Sequence, residues 1–304
     1  MKSYQEKEAA CEVAFRSLGE CWHIWTPADF EIIFCQDDDF RIGMSIVGVC
    51  TATVNTASLL TFELMSNHIH LCVAGSEESV SLLFERIKET FKRHYKSQGR
   101  SIDWSRFNAG FRKLSTLQEL RIVILYVNRN GFVVHPEYSP FTYPWGANRY
   151  IFNPDSRALA NIYAKPISLR ERRRIIHSRL SDSVEGLKSF EGCALPTSFC
   201  NISAAESLFT DASSYFFRIG KCIEASKEIA SELKESVFYT DDELFSSICQ
   251  ISHVRYGTRQ LSQLPADSKL ELARIMRSDY NASAKQIIRF LKLPQSVLES
   301  IGIK

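Results

Sequence analysis

The sequence predicts an α+β fold, with helices packed on a mainly antiparallel sheet, followed by an all-helical C-terminal region. Three observations carry this reading. Strand-like and helix-like segments alternate through the first half of the chain. Two short apolar runs joined at Ser66-Asn67 read as a β-hairpin. Beyond Pro136, Pro140, Pro144 and Pro154 the patterning turns helical. The 304 residues are 45% hydrophobic and 24% charged, which excludes a disordered or fibrous chain. Length alone gives a prior of about two domains.

Cys21–Trp25 is short and aromatic, a strand signal. Phe30–Cys35 is a second apolar run, an optional second strand, before the acidic turn Asp37–Asp39. Phe40–Val54 follows helical spacing, with Ile42, Ile46, Val49 and Cys50 on one face, although Gly43 and Gly48 weaken it. Ser58–Met65 alternates with the period of a half-buried strand, and His68–Ala74 is its partner, ended by Gly75. A long helix runs from about Glu77 to Ser97, with Val80, Leu83, Phe84, Ile87, Phe91 and Tyr95 in register, and Gly99 closes it. Thr116 with Glu119 forms a capping box that starts a helix reaching about Asn130, terminated by Gly131. Thr240 with Glu243 and Ser283 with Gln286 are two further capping boxes. The domain reading is an α+β domain over residues 1–150, a helical extension over 151–239, and a helical module over 240–304.

Lys and Arg number 37 against 35 Asp and Glu, so any preference for nucleic acid must be local. Nine cysteines are scattered with no C-x-x-C pair, which points to reduced thiols and a cytoplasmic chain rather than a cysteine zinc site. The charged N-terminus does not read as a secretory signal. The apolar run Ile42–Val54 falls short of the ~20 residues of a membrane span, so no membrane partner is expected.

The segment Met65-Ser66-Asn67-His68-Ile69-His70 is the most informative. Strand alternation puts His68 and His70 on one face and Ile69 on the other. Two imidazoles a few Å apart can share one divalent cation, with a third ligand from elsewhere. The plainer reading is two histidines on a solvated face. The second informative segment is Tyr126-Val-Asn-Arg-Asn130. On a helix Tyr126 and Asn130 are neighbours, offering a phenol and a neutral oxygen ligand for a hard cation. Here the plainer reading is a helix-end tyrosine and a capping asparagine.

Together these segments resemble the single-tyrosine HUH transposases of small insertion sequences and their REP-associated (RAYT) relatives. Their usual forms are Met-Pro-Asn-His-hydrophobic-His and Tyr-hydrophobic-His-x-Asn-Pro. Tyr143-Pro144-Trp145 resembles a stretch that often follows the tyrosine helix. The resemblance covers roughly residues 20–150. It implies a ferredoxin-like catalytic core, a Mg²⁺ or Mn²⁺ ion held by His68, His70 and Asn130, and Tyr126 as the nucleophile that forms a 5′-phosphotyrosine. Ser66, Asn128 and Gly131 depart from the family pattern, and the N-terminal Arg-Gly-Asn signature is missing.

Between Arg86 and Lys113 nine Lys/Arg face only Glu89 and Asp103, with Trp104, Phe107 and Phe111 interleaved. Arg86, Lys88, Lys92, Arg93, Lys96, Arg112 and Lys113 would pair with phosphates, and Trp104 would stack on an unpaired base. A solvated helix face with a small aromatic core is the alternative. Arg172 and Arg173 belong to a second basic cluster, Arg170–Arg174, and Lys285 and Arg289 to a helix-turn-helix-like C-terminus. The expected activity is metal-dependent nicking and rejoining of single-stranded or hairpin DNA, by a monomer or homodimer. Two rivals stand beside it: a catalytically silent DNA-binding regulator on the same fold, and a metal hydrolase using His68 and His70 with water.

Overall fold

The structure is a computed structural model, and it describes residues 3–134, 138–139, 141–179, 182, 184–221, 229–230, 233, 239 and 241–303. The chain divides into two compact units near residue 222.

The first unit is built on four antiparallel strands. In chain order it runs α1 (Tyr4–Ser17), β1 (Cys21–Trp25), α2 (Asp37–Thr53), β2 (Ser58–Leu64), β3 (Ile69–Ala74), α3 (Glu77–Ser97), β4 (Gly110–Leu114) and α4 (Leu117–Val134). The strands lie in the order β2-β3-β1-β4. This is the α+β arrangement expected, with the hairpin at Ser66-Asn67 joining β2 to β3. Side-chain alternation divides the sheet into two faces. Ile24, Phe62, Leu64, Ile69, Leu71 and Val73 form an apolar face, all fully buried. Gly43 of α2 lies against Leu64, and Phe84 of α3 packs on Phe111 of β4, so these two helices cover that face.

α3 shows why such a helix forms here. The Ser76 hydroxyl accepts from the Ser79 amide, and Glu77 and Glu78 sit in the first turn where the helix dipole favours them. Val80, Leu83, Phe84, Ile87, Phe91 and Tyr95 make the buried stripe. Each contributes roughly 1.5–3 kcal/mol on burial. The glycines of α2 do not break it. A Cβ at Gly43 would stand 2.6 Å from the Phe34 ring, so the helix needs glycine for close approach.

Two expectations need correction, and one unassigned segment takes form. Phe30–Cys35 is not a strand. Its Ile33 and Phe34 amides donate to the Ser66 carbonyl at 3.0 and 2.9 Å, which satisfies them without a ladder partner. The charged segment Tyr4–Ser17, unassigned from sequence, is a helix opened by a Ser3–Glu6 capping box. The region after residue 150 is not all-helical. α5 (Pro154–Tyr163) and α6 (Leu169–Ile176) flank β5 (Lys165–Pro166), which joins β6 (Lys188–Phe190) and β7 (Cys193–Ala194) in a second, three-stranded sheet. α7 (Ile202–Ser207) and α8 (Ala212–Lys221) follow. Residues 151–221 belong to the first unit: the Asn201 amide donates to the Leu59 carbonyl at 2.8 Å, and Ala194 bonds the Ser45 hydroxyl at 3.1 Å.

The second unit contains α9 (Asp241–Tyr256), α10 (Ala266–Ser278), α11 (Ala284–Leu291) and α12 (Gln295–Ser300). Thr240 of the expected capping box lies outside the described residues. The Ser283–Gln286 box is formed at α11. Leu244, Ile248, Leu272, Met276, Ile287, Leu291 and Leu298 make the core. Lys292, in the left-handed region at φ 54°, turns the chain between α11 and α12.

Candidate active site

The second face of the four-stranded sheet is polar and buried. Register puts Glu63 of β2 opposite His70 of β3, and His70 opposite Trp25 of β1. His23 faces Cys72 on one side and Arg112 of β4 on the other. Glu63, His70, Trp25, His23 and Arg112 therefore share one face.

α4 lies on this face. The Tyr126 ring meets His70 edge-on at 5.6 Å between centroids and His23 at 6.3 Å. Tyr126 is 4% exposed and His70 fully buried. One turn later Asn130 is half-buried. The next residue, Gly131, donates its amide to Glu63 Oε1 at 2.5 Å. That bond sets the Asn130 end of α4 over β2, beside the His70 row. Gly131 does not end the helix, as the sequence suggested; α4 continues to Val134. A Cβ there would fall 2.0 Å from Glu63 Oε1 and 2.3 Å from the Tyr143 ring, so only glycine lets the three elements meet. Asn128 accepts from Thr61 Oγ1 at 2.5 Å and donates to the Tyr215 hydroxyl at 2.8 Å. It fastens α4 to β2 and α8.

The two histidines of the motif are held differently. His68 stands just ahead of β3, 9% exposed, with its ring perpendicular to that of His70 and 5.0 Å away. Its Nδ1 lies 2.8 Å from Asn67 Oδ1. The Asn67 amide nitrogen donates to the carbonyls of Ala28 and Phe30, which fixes Oδ1 as the acceptor. His68 thus carries a proton on Nδ1, donated to Asn67 Oδ1, and turns Nε2 away from that bond. His70 Nδ1 lies 3.2 Å from His23 Nε2. Burial pushes the His70 pKa down to about 3. Burial also lowers that of His23, helped by His70 and by the Arg112 guanidinium. Both rings are neutral, the state a metal ion requires. Burial holds the Glu63 carboxyl well above the usual carboxylate range, with the Gly131 amide opposing. Sequence reasoning missed His23 and Glu63. The signal for both was register, since neither is part of a local motif.

These residues fit a hard divalent ion in part. His68, His70 and Asn130 offer two imidazoles and a carboxamide oxygen, donors that a divalent cation can accept. Among the described residues no three His, Cys, Asp or Glu side chains cluster as a metal site, so a protein-only zinc centre is not supported.

The basic residues fall into distinct places. Arg93 and Lys96 are exposed on α3. Arg112 faces the His23 side of the sheet. Arg86 donates to the Thr53 carbonyl, Lys88 to Asn108, Lys92 to Glu89 and Lys113 to Glu20. Arg172 binds the Ile167 carbonyl, and Arg173 forks onto Asp182. Trp104 must be corrected: it is 8% exposed, packed among Phe91, Tyr95 and Phe107, and presents no face to a base. Phe107 is fully buried, whereas Phe111 is 38% exposed. In the second unit Lys285, Arg289 and Lys292 are exposed at i, i+4 and i+7, one stripe along α11 and its cap.

Among the described residues no helix is long and apolar enough to cross a membrane. Comparison with protein families, curated proteins and solved structures yields no match to this chain.

Proposed function

We propose that the chain is a metal-dependent, single-tyrosine DNA endonuclease and strand transferase of the transposase type. The observation that carries the proposal is the packing of Tyr126 against His70 on one face of one sheet. The β-α-β-β-α-β order with strands arranged β2-β3-β1-β4 supports a ferredoxin-like core. The Tyr126 ring packs against His70 within the fold of one chain, which supports a reaction in cis.

His68 Nε2, His70 and Asn130 would hold Mg²⁺ or Mn²⁺, which when bound supplies Lewis-acid polarisation of the scissile phosphate. The strand would enter over His68 and Asn130, which are nearer solvent than the fully buried His70. Tyr126 Oη attacks phosphorus, a P–O bond forms, and the bond to the 3′-oxygen breaks. The phenolic proton ends on the departing 3′-hydroxyl. The 5′-phosphotyrosine retains a phosphoester, so a 3′-hydroxyl can reverse the step without ATP. Arg112, Arg93 and Lys96 would guide the strand, and the α11 stripe would add contacts to phosphates.

The burial of Tyr126 and His70 favours a second reading, a DNA-binding regulator without turnover. One assay separates the two. Protein is mixed with a labelled hairpin oligonucleotide and Mn²⁺, then run in SDS. The nuclease gives a covalent adduct that Tyr126→Phe abolishes. The regulator shifts the hairpin in native gels with no adduct, and a hydrolase cuts it with no adduct.

A further inference from the structure

We infer that His23 is a positioning residue for metal binding: its Nε2 accepts the Nδ1 proton of His70 and so presents His70 Nε2 to the ion. The inference rests on the reading proposed above and deepens it. No local sequence motif contains His23. It reaches His70 because the central strands β1 and β3 are paired.

Three observations converge. The nitrogens are 3.2 Å apart while the ring centres are 5.4 Å apart and the planes differ by 18°. The rings therefore meet edge to edge, in the geometry of an N–H···N bond rather than a stack. His23 is itself immobilised, 1% exposed and flanked by Trp25 at 5.1 Å and Tyr126 at 6.3 Å. The neighbouring ligand follows the same rule, since Asn67 Oδ1 accepts from His68 Nδ1. A ligating imidazole needs its second nitrogen protonated and fixed by an acceptor. Asn67 supplies that acceptor for one histidine, and His23 for the other. His23 also gives Tyr126 a wall, so the group that orients the ligand touches the nucleophile as well.

The test compares His23→Gln with His23→Asn. The amide of glutamine reaches the place of Nε2, whereas that of asparagine stops near Nδ1 and falls short of His70. Mn²⁺ affinity is read by EPR titration, and thermal unfolding checks that each variant folds. A His23→Leu variant replaces His23→Asn if the latter does not fold. His23→Gln is expected to bind within about threefold of the unaltered protein, and His23→Asn or His23→Leu 10–100-fold more weakly. With Mg²⁺ bound, ¹⁵N NMR of the unaltered protein is expected to show the His70 proton on Nδ1. Equal Mn²⁺ affinity in all variants, or a His70 proton on Nε2 with Mg²⁺ bound, overturns the role of His23 alone. Failure of the unaltered protein to bind Mn²⁺ overturns the metal reading and this role together.

Discussion

The Gly131 amide and the Glu63 carboxyl oxygen meet at 2.5 Å, so a helix and a strand 68 residues apart are fastened one residue beyond Asn130. Gly131→Ala sets two effects against each other. Helix propensity favours alanine by about 1 kcal/mol. The new methyl would lie 2.0 Å from Glu63 Oε1 and 2.3 Å from the Tyr143 ring. Overpacking of that kind costs about 1–3 kcal/mol, and here the neighbours are themselves buried. Gly131→Ala is expected to destabilise the protein, read as a lower urea midpoint with an unchanged slope.

Stability should fall in acid through His23 and His70. Both have lowered pKa values when folded, His70 to about 3, against 6.5 unfolded. Between these limits the unfolded chain binds protons that the folded chain refuses. The contribution is complete above about pH 6.5 and is lost as pH falls toward 3. Urea midpoints of the unaltered protein should drop from pH 7.5 to pH 5 in metal-free buffer. His70→Gln should show a smaller drop over the same range. An equal drop in both would remove His70 as a source.

Much of the first unit's core was legible in the sequence. β2 and α3 are legible from periodicity, because each presents one apolar face to one neighbour, the hairpin from the turn at Ser66-Asn67, and β1 from its aromatic residues. The histidine pair and Tyr126 were read from local motifs. Other parts were set by contacts distant in sequence. Gly131 looked like a helix stop because its reason for being glycine lies in Glu63 and Tyr143. Trp104 looked like a stacking platform because interleaved charges conceal its packing against Phe91 and Tyr95. His23 and Glu63 enter the site only through strand register. The small sheet of β5, β6 and β7 has strands of two or three residues, too short to show a period.

Trp104→Ala should act on folding, not on DNA. Removing a buried tryptophan costs about 3–5 kcal/mol. DNA affinity per folded molecule, measured by anisotropy, should stay within about twofold. A selective loss of affinity with unchanged unfolding would restore the stacking role.

The α11 stripe should contribute phosphate contacts. Arg289→Ala should weaken hairpin binding uniformly across sequences and reduce the slope of log K against log salt by about one. Lys285→Ala should do the same. An unchanged slope would assign the second unit another task.

The most direct measurement is the identity of the residue that carries DNA. The adduct formed with a hairpin and Mn²⁺ is digested with trypsin and nuclease and analysed by mass spectrometry. Cleavage after Arg121 and Arg129 releases the peptide from Ile122 to Arg129, whose one tyrosine is Tyr126. That peptide is expected to carry a nucleotide joined through its 5′-phosphate to the tyrosine oxygen. A nucleotide on the peptide from Asn130 to Arg149 instead, which holds Tyr138 and Tyr143, would contradict the account, as would a cleaved hairpin with no peptide modified.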